Sequence, residues 1–111
     1  MNHMNGQLEE VYEALEDCLR ACNQCYEACL NDEDPTHMRD CIRTDRECAD
    51  MCELAMKAVI TDSPSMKDIL RLCAQICERC GKECAKHDHE HCQVCAEACH
   101  KCSELCMAYV Q

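Results

Sequence analysis

The sequence predicts an all-α fold, an antiparallel up-down-up-down four-helix bundle with a cysteine-lined core. Three observations predict it. Only two glycines and two prolines punctuate 111 residues, so little in the chain breaks a helix. The stretches between breaks are Glu, Lys, Arg, Ala, Leu, Met and Cys, with almost no strand-type alternation. Their similar lengths and short links are what neighbouring antiparallel helices require.

The first helix is expected over residues 6–30, with Asn31 ending it before the acidic run 31–34. Asp34-Pro35 reads as an N-cap followed by proline at the first helical position, opening a second helix over 35–61. Ser63-Pro64 has the same form and opens a third over 64–86. The break at His87-Asp88-His89 leaves Asp88 to cap a last helix over 89–110. The whole is read as one domain, 1–111, made of two copies of a helical hairpin at about 6–61 and 64–110. Cys18, Cys22, Cys25 and Cys29 recur as Cys73, Cys77, Cys80 and Cys84. Cys41, Cys48 and Cys52 recur as Cys95, Cys102 and Cys106. In the same register His37 falls on His91, Met38 on Cys92 and Asp45 on Cys99.

Composition narrows the function. Sixteen residues are Cys, Phe and Trp are absent, and the formal charge is -11. On its branched aliphatics alone such a chain would be disordered. Cysteine must supply core as a small hydrophobe, or a ligand on the thiols must supply folding energy. The acidic balance argues against nucleic acid and anionic membrane, since phosphate contacts need clustered Lys and Arg. No apolar run is long enough to span a membrane. Residues 1–15 lack a basic start, an apolar stretch and a twin Arg, so no export signal is read there. A reduced, cytosolic protein that binds metal is the expectation.

At about 100° per residue the thiols form stripes. Cys18, Cys22, Cys25 and Cys29 lie within about 60°, as do Cys73, Cys77, Cys80 and Cys84. Cys41, Cys48 and Cys52 span about 40°, and Cys92, Cys95, Cys99, Cys102 and Cys106 about 80°. Neighbours on such a face have Cβ atoms roughly 5–6 Å apart, which suits two sulfurs bridged by one metal. Where four stripes meet, the bundle axis becomes a column of thiols. Sixteen aligned thiols are more than an inert core needs. A disulfide-crosslinked structural bundle is an alternative reading, as is a zinc or iron–sulfur protein. Cys18-Cys22-Cys25 matches locally the iron–sulfur motif of radical enzymes, but on continuous helix in a chain too short for their barrel. No nucleophile, base and orienting group fall together, so no enzyme is proposed.

Thiolate-only ligation selects Cu(I), Zn(II) or an iron–sulfur cluster. Each Cu(I) that displaces one thiol proton leaves the charge unchanged. A Zn(II) held by four thiolates carries minus two, and a dry core filled that way buries charge at high cost. Zinc sites also favour tight loops that build a tetrahedron. Parallel sulfur stripes suit bridged Cu(I), in multiple ions per chain.

The pattern resembles the cysteine-rich four-helix-bundle copper storage proteins, in their signal-less cytosolic branch. The matching motifs are C18-L-R-A-C22-N-Q-C25-Y-E-A-C29, C73-A-Q-I-C77-E-R-C80-G-K-E-C84 and C92-Q-V-C95-A-E-A-C99-H-K-C102-S-E-L-C106. The resemblance implies homotetramers of bundles that store Cu(I) without catalytic turnover. Copper chaperones or small thiols would be the donors and acceptors. One departure is Asp45, which stands on the second stripe where its repeat partner is Cys99 and is a poor Cu(I) ligand.

The remaining stripe positions orient the column. Val11, Leu15, Ala55, Met56, Val59, Met66, Ile69, Leu70, Met107 and Val110 all belong at one end, which is expected to be an apolar plug. The other end carries His37, Met38, His87, His89 and His91. His37, His87 and His91 are read as the metal entrance, and His89 and His100 as solvated side chains. Met1, His3 and Met4 read as a frayed tail, although a free amino terminus with His3 could hold Cu(II) or Ni(II) in a square-planar site.

Overall fold

The structure, a computed structural model, describes residues 3–111. Its helices are α1 (Gly6–Leu30), α2 (Arg39–Ile60), α3 (Met66–Ala85) and α4 (Glu90–Val110). They pack as a rod of 46 × 19 × 18 Å. α1 lies against α2 and α4, and α3 against α2 and α4, so every neighbouring pair runs antiparallel. Among the described residues no helix is long and apolar enough to cross a membrane.

Local chemistry sets each boundary. Asn5 caps α1, its Oδ1 accepting the Leu8 N–H at 2.8 Å. The Asn31 N–H closes the far end on the carbonyls of Glu27 and Ala28. α2 starts four residues later than the proline suggests. Asp34 caps nothing; its own N–H turns back to Asp32 Oδ1 at 3.0 Å, and Pro35–Met38 winds as a 3-10 turn that ends with Met38 fully buried. α2 stops because Asp62 adopts φ 52°, a left-handed conformation that Asp tolerates. The Ser63 N–H then reaches the Ala58 carbonyl and the Asp62 N–H that of Val59, a Schellman closure. Ser63 Oγ accepts the Ser65 N–H, so residues 64 and 65 form a turn and α3 opens at Met66 rather than 64. Asp88 does not cap α4 either. His89 holds that position without a side-chain bond, and Gln93 ties the link down by donating to the His87 carbonyl at 2.6 Å.

All sixteen cysteines are fully buried, so cysteine itself supplies the core. Leu8, Val11, Leu15, Ala55, Val59 and Leu70 are buried beyond it and close one end. Met56, Ile69 and Met107 sit only half-buried at the seams, with Met56 lining an outer groove between α1 and α2 beside Tyr12 and Leu19. His3 lies across the plugged end and donates from Nε2 to the Val59 carbonyl at 2.7 Å. The square-planar amino-terminal site expected from His3 would also need Met1 and Asn2, which lie outside the described residues. His100 is exposed, yet its ring rests on α3. A Cβ at Gly81 would come within 2.9 Å of His100 Cε1, so this close approach needs glycine.

Candidate metal centre

One helical turn separates most thiols within a stripe, and the antiparallel packing sets neighbouring stripes level with one another. Within helices, Sγ atoms of Cys18 and Cys22 lie 4.0 Å apart and those of Cys25 and Cys29 3.9 Å. Between helices they come closer. Cys48 and Cys77 are 3.4 Å apart, Cys41 and Cys84 3.5 Å, Cys18 and Cys48 3.6 Å, and Cys95 and Cys22 3.6 Å. A disulfide is about 2.05 Å long, and all sixteen thiols are free.

The sulfurs form overlapping groups of four, each with its atoms within 4.8 Å of one another. Nearest the open end stand Cys25, Cys29, Cys41 and Cys92. Further in come Cys22, Cys80, Cys95 and Cys99, then Cys18, Cys22, Cys48 and Cys99. Cys18, Cys48, Cys52 and Cys77 follow, and Cys52, Cys73, Cys77 and Cys102 lie deepest. Cys106 continues from Cys102 at 4.0 Å. Inner groups share members, so an ion in one group always has a sulfur in common with the next. Bridging thiolates need that arrangement, and isolated tetrahedral sites do not.

Protons are unevenly held along this column. S–H donation from Cys41 and Cys84 lowers Cys25 to about 5, and donation from Cys102 and Cys106 lowers Cys73 to about 6. Burial instead pushes Cys29 and Cys92 up.

Asp45 is the one fully buried polar residue among those described. It neither turns out to solvent nor meets an arginine. Its Oδ1 accepts from Cys95 at 3.3 Å and from Cys80 and Cys84 at 3.4 Å, and Oδ2 faces Cys41 at 3.8 Å. Burial, then the negative charge available to Cys95, pushes this carboxyl far above the usual carboxylate range. The folded chain therefore keeps a proton that the unfolded chain loses near pH 3.9. Stability from this group is full below that value and declines as pH rises towards the raised folded pKa, by at most about 1.4 kcal/mol per pH unit. Asp45→Asn keeps the shape without the proton. The stability of the unloaded native chain minus that of the variant should fall steadily from pH 5 to 8, measured by denaturant unfolding. A difference flat with pH would mean that Asp45 is ionised in the fold.

At the open end, His91 Nδ1 lies 3.3 Å from Cys25 Sγ and 3.5 Å from Cys92 Sγ. Of the three expected entrance histidines it alone touches the thiols. His87 pairs with Glu83 at 3.0 Å, and its ring stands edge-on to that of the exposed His37 at 6.0 Å. His89 is less free than its loop position suggests. It pairs with Asp32 at 3.2 Å, and its ring lies 5.3 Å from that of His91. The backbone N–H of Asp34, and then His89, hold the Asp32 carboxyl below its usual range. Glu83 was findable from sequence by its one-turn spacing to His87. Asp32 was not, because its partner sits on another connection.

The sequence profile described as copper storage protein matches residues 4–111. An uncharacterised cysteine-rich protein of Bacillus subtilis is 58% identical over 90 residues, covering 81% of this chain and 83% of that one. The structure of a Cu(I)-bound copper storage protein, BsCsp3, superposes with a TM-score of 0.92 at 54% identity, covering 95% of this chain and 99% of that one. A cytosolic copper storage protein from Streptomyces lividans, solved during copper loading with five coppers, gives a TM-score of 0.89 at 36% identity. It covers 94% of this chain and 92% of that one.

Proposed function

The chain belongs to the copper storage protein family, and from that premise we propose that it holds Cu(I) on its sixteen cysteine thiolates for cytosolic storage and detoxification. The family stores copper and is not one of enzymes. The observation that carries the reading is the column of four-sulfur groups, the inner ones sharing sulfurs from one to the next. One Cu(I) per displaced thiol proton keeps the column neutral, as a dry core requires. Cys18, Cys22, Cys25, Cys29, Cys41, Cys48, Cys52, Cys73, Cys77, Cys80, Cys84, Cys92, Cys95, Cys99, Cys102 and Cys106 are the storage ligands. Asp45 is a minor oxygen ligand between the outer and inner sulfurs. Both hairpins, about 6–61 and 64–110, contribute to one storage domain.

Ions enter where His37, His87 and His91 stand, passed from a copper chaperone or a small thiol. We infer that the bundles assemble as homotetramers, with the open ends left to donors and acceptors. The apolar plug offers a polar complex no path. Filling is therefore directional, beginning with Cys25, Cys29, Cys41 and Cys92 and moving inward by thiolate exchange. The test is to load about three equivalents of Cu(I) anaerobically, alkylate in denaturant while the metal is held, and map the cysteines by mass spectrometry. The four outer thiols should be protected first. Early protection of Cys73, Cys102 and Cys106 would place the entrance at the plugged end.

A further inference from the structure

The mouth places hard donors outside and soft donors inside, a sorting that Cu(I) storage does not need. Asp32 and His89 are joined at 3.2 Å on the rim. The His89 and His91 rings stand 5.3 Å apart, a separation two imidazoles on one ion can adopt. His91 faces inward with Nδ1, which leaves Nε2 for the outer side. One carboxylate and two imidazoles make an N,O set of the kind that suits tetragonal Cu(II), whereas the sulfurs behind it suit Cu(I).

We propose that Asp32, His89 and His91 form a Cu(II) site at the mouth, and that Cys25 and Cys92 beside it reduce the ion to Cu(I) before it moves inward. This inference rests on the storage reading and adds a capture step to it. With Nε2 on the ion, the ring proton sits on Nδ1 and is donated to Cys25 Sγ, which favours the thiolate. Cys25 and Cys92 lie 3.9 Å apart on different helices, so a modest approach brings their sulfurs into bonding distance. Two Cu(II) ions arrive in turn and each takes one electron. The two thiols together lose two electrons and two protons and form one S–S bond, and the protons leave to solvent at the open end. The balance is two Cu(II) plus two R–SH giving two Cu(I), one R–S–S–R and two protons. Cu(I) then prefers sulfur to the oxygen and nitrogen of the rim and passes to Cys29 and Cys41. The step is stoichiometric, since two thiols are spent for two ions.

The experiment adds two equivalents of Cu(II) chloride anaerobically to the fully reduced chain, following the Cu(II) EPR signal and the free-thiol count. The signal should vanish with loss of two thiols, and peptide mapping should find Cys25 joined to Cys92. The double variant Asp32→Asn with His89→Ala should lose the signal more slowly, by about tenfold or more. Its final uptake of Cu(I) from a chelator should match the native chain, because neither residue holds stored Cu(I). A persistent signal, thiol loss scattered over the sixteen, or an unchanged rate in the variant would overturn the proposal. Failure of the native chain to take up Cu(I) at all would overturn the storage reading, and this one with it.

Discussion

His91→Ala should slow Cu(I) transfer from a chelated donor by about tenfold or more, with final capacity nearly unchanged. The expectation follows from position. Among the described residues His91 is the histidine hydrogen-bonded to the thiols, 3.3 Å from Cys25 and 3.5 Å from Cys92, so it can hand an ion directly to sulfur. His37 and His87 lie a layer further out, and His87 is already engaged by Glu83. Adding His37→Ala and His87→Ala should therefore slow transfer further by a smaller factor. Removal of Cu(I) by an external chelator should slow in parallel, because both directions use one mouth. Stopped-flow mixing reads both rates, and equilibrium titration reads capacity. A triple variant that loses about three ions would make the histidines storage ligands rather than a relay. Unchanged rates would move the route to the helix seams or the plugged end.

A larger effect is expected on stability. The unloaded chain buries its thiols completely, so it should fold without metal. Each ion bound only by the folded state adds about 4 kcal/mol when free copper is a thousandfold above its dissociation constant. Total stabilities are typically about 5–15 kcal/mol, so a few filled groups exceed the unloaded fold's own margin. Some of the gain is lost because unfolded thiols also bind Cu(I), but not through bridges set by four helices. The loaded chain should keep its helical circular dichroism above about 90 °C, and a strong chelator should return it to the unloaded transition. A melting temperature unmoved by loading would place the copper outside the column.

The thiol column was the most legible feature of the sequence, because helical phase converts cysteine spacing directly into stripes. The bundle followed from it, since four such faces have nowhere else to go. What helical phase misses is whatever depends on the connections. Pro35 and Pro64 mark breaks correctly, but each sits in a turn before its helix, where Asp32 and Ser63 take the N–H groups of residues 34 and 65. Asp88 has capping chemistry and caps nothing, because a cap depends on the backbone angles of one residue. The plug was over-assigned for a similar reason. Met56, Ile69 and Met107 are at the edge of their stripes, where the axis and the seam differ by less than one residue's rotation. Asp45 was placed on the stripe by phase, yet its four thiol neighbours come from three helices, a convergence no single helix encodes.

The histidines divide in the same way. Phase treats His37 and His87 alike as facing the opening, but the fold spends His87 on Glu83 and leaves His37 exposed. His89 and Asp32 come together only because the two open-end connections are adjacent in space.

The central claim is that the thiols act as one continuous store, and an anaerobic titration of the fully reduced chain with Cu(I) against a competing chelator tests it most directly. Bound ions and residual reactive thiols are counted at saturation. The column predicts on the order of one Cu(I) per cysteine, about sixteen, with few thiols still reactive and no build-up of core charge. Saturation at about four ions or fewer would contradict it and point to separate tetrahedral sites of the zinc type.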